Sequence, residues 1–283
     1  MQNVSTLQGR SSEQDPSTNK KFETGIASFD LISGGGLPRS SALALIGNAG
    51  CEKTLLARHI MWNVLQKGAK VLYYSVDQSA EELRYDLSSY GWEIKSYEDD
   101  GLLRIVDVFS SGKNTMMKEL RKYFGNGTAD SNENFSNFKS KMSDKGFQKK
   151  IYDLNLIYKE GIRFISPISI RRYPYRLCIF DSVSPLFSTN TQGVFQLVQV
   201  LKFATRSGKA TGIGIMHGGM HEDKTEAKFK SLADAIIEIK TRGETTNFIT
   251  LLKYPGKHRT GFFPLEANDQ GVNIIPMVMP ELF

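Results

Sequence analysis

The stretch SALALIGNAGCEKTLLARHIMWNVLQKG, residues 41–68, constrains the fold more than any other part of the chain. Its apolar opening ends at Gly47 and reads as a buried strand. Leu56, Ile60, Val64 and Leu65 then recur close to a helical period, and Lys67 and Gly68 supply a stop. A short loop with two glycines joins the two elements. Strand, glycine-containing loop and helix in immediate succession are the opening of an α/β unit.

The same alternation continues downstream. AKVLYYSVD reads as a second buried strand. SAEELRYDLSSYGW reads as a helix with Ser79 and Glu82 spaced as a capping box. GLLRIVDVFS reads as a third strand. IYDLNLIYKEG and VFQLVQVLKFATRSGK carry helical patterns. YRLCIFDSVSPLF holds the clearest central strand, ending in Asp181, and ATGIGIMH reads as another. The end differs in character: ADAIIEIKT, NFITLLKY, GFFPLEAND and GVNIIP are successive strands separated by turn residues. The predicted fold is therefore α/β, with a mostly parallel sheet, helices on both faces and antiparallel C-terminal strands.

With 283 residues, 40% of them hydrophobic and 23% charged, the chain suits one soluble domain, expected over 22–283. Residues 1–21 are polar and Ser/Gln/Asn-rich and are expected to be a disordered tail. The N-terminus lacks the apolar core of a signal peptide, and no segment approaches 18 uninterrupted apolar residues. Cys51 and Cys178 do not resemble a disulfide framework, so a cytoplasmic location is expected. Residues 110–150 hold nine Lys/Arg against four Asp/Glu. The stretch 111–150 thus reads as a basic insertion, with short helices around Met116–Tyr123. It is either a solvated loop or a patch for nucleic acid, an acidic protein partner or anionic lipid. RRYPYR, residues 171–176, is a surface turn or a further nucleic-acid contact.

The loop between the first strand and helix reads GNAGCEKT, residues 47–54. A phosphate-binding loop of the form G-x-x-x-x-G-K-[ST] needs backbone amides free to wrap phosphate oxygens, a lysine to reach the terminal phosphates and a hydroxyl for Mg²⁺. Gly47, Lys53 and Thr54 satisfy the pattern. Asp181, at the end of a buried strand, stands where a Walker B carboxylate would meet the same metal. The candidate nucleotide-binding residues are Gly47, Asn48, Ala49, Gly50, Cys51, Glu52, Lys53, Thr54 and Leu55, with Thr54 and Asp181 for Mg²⁺. Glu52 replaces the glycine expected before the lysine. A carboxylate about 6 Å from a phosphate charge costs about 3 kcal/mol at an effective dielectric near 20, which is about two decades of affinity. Side chains also tolerate unusual φ/ψ less well than glycine.

At these residues the sequence resembles the KaiC family of RecA-like ATPases, in its single-domain archaeal form. TGIASFDLISGGGLPRSSALALIG is similar to the family's opening, SYGWEIKSYEDDGLLRIVD to its middle, DSVSPLF to its Walker B strand, and LKYPGKHRTGFFPLEANDQGVNIIP to its closing segment. The resemblance covers roughly residues 22–277 outside the insertion. It implies a RecA-like P-loop core and ATP held between subunits of a ring, usually a hexamer. The chain runs only a few residues past its last strand, to Phe283, unlike the long tail of the clock protein.

The resemblance also assigns residues. Two adjacent glutamates after the second strand polarise water in the family; here they are Asp77 and Gln78, and glutamine cannot accept a proton. The family's Lys-x-Arg-Gly, reaching across the subunit interface, becomes Lys253-Tyr254-Pro255-Gly256. Loss of a phosphate-clamping arginine is costly in other P-loop enzymes. His217 falls where RecA-like proteins place a γ-phosphate sensor, or is a satisfied polar residue at a strand end. His59 reads as structural, and His221 and His258 lack ligand-like spacing. Glu52, Gln78 and Pro255 together favour a regulatory ATP-binding protein with weak or degenerate ATPase activity. The alternatives are a non-catalytic scaffold, an archaellum-type FlaH-like ATPase and a recombinase-paralogue DNA-binding protein.

Overall fold

The structure, a computed structural model, describes residues 20–124, 154–165, 176–207, 210–243 and 245–277. Residues 1–19 of the expected tail, 125–150 of the basic stretch and 171–175 of RRYPYR lie outside the described residues.

A short ribbon of β1 (Lys21–Phe22) and β2 (Leu37–Pro38) flanks α1 (Ala27–Ser33). Then follow β3 (Ala42–Gly47), α2 (Lys53–Gln66), β4 (Lys70–Ser75), α3 (Ala80–Ser89), α4 (Lys95–Asp99), β5 (Leu103–Asp107) and α5 (Val108–Phe124). After the undescribed stretch come α6 (Leu154–Ile165), β6 (Arg176–Asp181), α7 (Ser184–Ser207), β7 (Ala210–His217), α8 (Asp223–Leu232), β8 (Ala235–Arg242), β9 (Thr246–Lys253), β10 (Phe263–Asn268) and β11 (Gly271–Ile274). Nine strands form one sheet in the order β11-β10-β9-β8-β3-β7-β6-β4-β5. From β8 to β5 every neighbour is parallel; β9, β10 and β11 extend the sheet antiparallel, as the sequence pattern predicts.

Strands buried on both faces need a layer of helices on each side. One core joins Leu56, Ile60 and Val64 of α2 to Leu43, Leu45, Val71, Tyr73 and Ile213 of the sheet. The other joins Ile157, Leu186, Phe195, Leu197 and Phe229 to Ala44, Leu72, Phe180 and Met216 on the opposite face. Alternate residues of one strand, such as Ala44 and Leu45, thus serve different cores.

The local signals explain most boundaries. Ser79 Oγ accepts the Glu82 amide, and the Glu82 carboxylate accepts the Ser79 amide, completing the capping box of α3. The third strand is shorter than its apolar run suggests. Asp107 Oδ1 accepts the Ser110 amide at 2.7 Å, so the chain turns into α5 at Val108. The short helices expected around Met116–Tyr123 are part of this one 17-residue helix. Helix α7 begins at Ser184, ten residues before its sequence pattern, and is kinked at Asn190. No helix among the described residues is long and apolar enough to cross a membrane.

Candidate functional site

Parallel strands bring their carboxyl ends to one edge, where open α/β sheets bind ligands. Gly47 pairs with His217 on one side and Ile239 on the other, and Ser75 pairs with Asp181. The strand ends carrying Gly47, Asp181 and His217 therefore lie along that edge, with the positive end of α2 beside them.

Gly47 is required by packing: a Cβ there would come within 2.1 Å of Ile239 O and 2.6 Å of Cys51 Sγ. Asn48, Ala49 and Gly50 form an exposed rim. Glu52 precedes α2 with φ 65° and ψ 21°, the left-handed region that favours glycine. A non-glycine residue held there costs about 1–3 kcal/mol. The loop thus keeps a glycine-type backbone at a position that carries a carboxylate. Lys53 is 3% exposed. Its Nζ donates to Asn48 O at 2.5 Å and to Cys51 Sγ at 3.4 Å, curling beneath the loop. Burial pushes the Cys51 thiol up despite the adjacent lysine. Leu55 is buried in the core and anchors the first turn.

Thr54 Oγ1 donates to Asp181 Oδ1 at 2.8 Å. The other oxygen of Asp181 accepts from the Tyr73 hydroxyl and from Arg58, whose guanidinium lies 3.4 Å away. Arg58 also donates through Nε to Tyr73 Oη and through the second terminal nitrogen to Asp86 Oδ2, both at 3.2 Å. Burial opposes the Arg58 charge, but Tyr73, Asp181 and Asp86 outweigh it and push its pKa above the usual value. Burial and the neighbouring Asp181 push the Tyr73 hydroxyl far up, so it stays a neutral donor.

Gln78 donates from Nε2 to the same Asp86 oxygen at 3.2 Å. Asp77 Oδ2 accepts the Ser182 amide at 3.1 Å and lies 3.7 Å from His217 Nε2. Burial would raise the Asp77 carboxyl, but His217 and Ser182 outweigh it and hold it below the usual carboxylate range. Ser184 Oγ accepts the His217 amide at 2.9 Å. His217 Nδ1 and Ser182 Oγ are buried without a hydrogen-bond partner among the described residues.

The structure therefore brings residues 47–55, Asp77, Gln78, Asp181 and His217 to one edge of the sheet. Lys253 is elsewhere. It pairs with Ile236, well below the loop, and its Nζ donates at 2.6 Å to Ala233 O at the amino edge. Pro255 follows it in a loop where the Tyr254 hydroxyl donates to Gly36 O. The sequence reading missed Arg58, Tyr73 and Asp86. The spacing of Thr54 and Arg58, four residues apart on one helix face, was the available signal. Tyr73 is hidden in an apolar run, and Asp86 in an exposed helical pattern.

Sheet order, loop and carboxylate define a RecA-like P-loop core. A family model described as the KaiC ATPase matches residues 22–153. A UPF0273 protein of Pyrococcus furiosus is 28% identical over 134 residues, 47% of this chain; the chain spans only 54% of that relative's length. A UPF0273 protein of Aeropyrum pernix is 24% identical over 265 residues, covering 90% of this chain and 94% of its own. The circadian clock protein KaiC3 of Synechocystis is 24% identical over 279 residues, 95% of this chain and 48% of its own. The crystal structure of a KaiC-like protein from Pyrococcus horikoshii superposes with a TM-score of 0.64 at 17% identity, over 90% of this chain and 99% of its own, a likeness of fold. The chain is thus similar to KaiC-type proteins in sequence and in fold.

Proposed function

We propose that the chain is a regulatory ATP-binding protein that seats ATP and Mg²⁺ on residues 47–55 and hydrolyses the nucleotide slowly. One observation carries this reading. The loop keeps a left-handed, glycine-type backbone at Glu52, with Thr54 and Asp181 paired at 2.8 Å beside it, while position 52 carries a carboxylate and position 78 an amide.

The residues fit the groups. A hydroxyl and a carboxylate side by side are oxygen donors suited to Mg²⁺. When bound, the metal neutralises phosphate charge. The loop amides and the α2 terminus would hold phosphate oxygens, with Lys53 leaving Asn48 O to reach them. The unpartnered Ser182 Oγ and His217 Nδ1 are polar groups that a ligand at this edge could satisfy. The same site supports slow turnover. Gln78 can orient water but cannot take its proton. Asp77 is already committed to Ser182 and lies beside His217. Lys253 does not serve this chain's own loop; in the family's manner it would serve a neighbouring subunit, without the arginine that Pro255 replaces. Ring assembly that follows nucleotide state is the corresponding regulatory output.

The test combines isothermal titration of ATP, with and without Mg²⁺, with phosphate release and light scattering. Saturable Mg²⁺-dependent binding, slow phosphate release and an ATP-dependent change in mass are expected. Fast turnover would refute the degenerate-ATPase reading. Binding with no detectable turnover at all would favour the non-catalytic scaffold, which the amide at Gln78 also supports.

A further inference from the structure

Six polar side chains from five parts of the fold form one connected chain: Gln78, Asp86, Arg58, Tyr73, Asp181 and Thr54. We propose that Arg58, Tyr73 and Asp86 are positioning residues that fix the metal-binding carboxylate and tie Gln78 to it, so that the state of Asp181 is read at the water-facing end of the site. This rests on the nucleotide reading above and names a regulation of that same site.

Asp181 is the buried end of this chain of contacts. Its side chain is 6% exposed, and that of Arg58 is 11% exposed. Buried charges persist where they are paired and hydrogen-bonded. One carboxylate oxygen takes both Tyr73 and Arg58, leaving Oδ1 to face Thr54. Without the Tyr73 hydroxyl the carboxylate loses a donor that fixes its rotation, although the ring would still fill the core.

Arg58 is the branch point. Its planar fork presents donors in fixed directions, which a lysine cannot reproduce. Three of its nitrogens go to three different elements: Nε to β4, one terminal nitrogen to α3 and the other to β6. The oxygen of Asp86 that receives Arg58 also receives Gln78. A carboxylate only accepts, so the Gln78 group facing it is the amide NH₂. Gln78 Oε1 then remains as the side chain's acceptor, the atom a water molecule would donate to. A change in the load on Asp181 Oδ1 alters its pull on Arg58, and Arg58 passes this to Asp86 and Gln78. A surface ion pair would contribute little and carry nothing; this one is shielded at the Arg58–Asp181 end.

The test uses the full chain loaded with ATP. Mg²⁺ is titrated calorimetrically into wild type and Tyr73→Phe, and ATP affinity is measured separately in EDTA. The relay predicts metal affinity weakened about tenfold in Tyr73→Phe, with EDTA affinity for ATP within about twofold. Hydrogen exchange over residues 78–89 is then compared with and without Mg²⁺. Wild type should gain protection, and Arg58→Met should not. Circular dichroism establishes that each variant is folded; if Arg58→Met is not, Arg58→Lys replaces it with the same expectation. Unchanged metal affinity in folded Tyr73→Phe, or a preserved exchange response without Arg58, would overturn the relay while leaving the nucleotide site standing. Failure of wild type to bind ATP in either buffer would instead bring down the nucleotide reading, and the relay with it.

Discussion

Glu52→Gly is the most informative single change, because two physical effects act at that position with different signatures. The residue sits at φ 65° in the left-handed region. Glycine adopts that conformation freely but loses more chain entropy on folding, so the net gain in stability is about 1 kcal/mol. In a domain of this size that is a rise of about 2 °C in Tm. The second effect is electrostatic. A carboxylate about 6 Å from phosphate charge costs about 3 kcal/mol at an effective dielectric near 20. Glu52 is only half-buried, so solvent screening reduces this, and a tightening of ATP binding of about tenfold to a hundredfold is expected. Glu52→Gln separates the two, since it removes the charge and keeps the backbone strain. It should recover most of the affinity and none of the stability. Calorimetric titration with ATP and Mg²⁺ reads the first quantity, and thermal unfolding without nucleotide reads the second. If Glu52→Gly left affinity unchanged, charge at this position would not limit binding. If Glu52→Gln raised Tm as much as Glu52→Gly, the strain argument would be wrong.

Three further outcomes follow from the same geometry. Gly47→Ala forces a Cβ within 2.1 Å of Ile239 O, and should cost about 1–3 kcal/mol in chemical denaturation and disrupt the loop for ATP. Ser79→Ala removes one half of the capping box, with an expected loss of about 1 kcal/mol in the same assay. His59 accepts the Val272 amide on Nδ1, and burial lowers its pKa. Because the folded value is depressed, its stabilisation is complete above the unfolded value near 6.5 and is lost as pH falls through the folded one. Burial lowers His221 in the same direction. Tm should therefore drop between about pH 7.5 and pH 5.5, and His59→Asn should flatten that drop.

Much of the fold was legible because its signals are local. The run ALALIG before a glycine loop, the Ser79–Glu82 pair and the apolar run before Asp181 each mark an element without reference to distant residues. The errors have equally physical causes. Val108 and Phe109 look like a continued strand, but the Asp107 side chain caps a helix there instead. The site divides the same way. Residues 47–54 are contiguous and so readable, and Asp181 was placed by its strand. The Arg58, Tyr73 and Asp86 network comes from three separate elements and exists only when the sheet brings β4 beside β6. The conformation of Glu52 was likewise hidden, since the sequence shows a carboxylate but not that the backbone keeps its left-handed turn.

The proposed function requires the loop from Gly47 to Leu55 to be a nucleotide seat. The most direct measurement is calorimetric titration of ATP and Mg²⁺ into wild type and into Lys53→Ala, with circular dichroism to establish that both are folded. Saturable binding at one site per chain in wild type, weakened at least about a hundredfold in Lys53→Ala, is the predicted result. Equal binding by the two proteins would contradict it, because the triphosphate would then rest somewhere other than this loop.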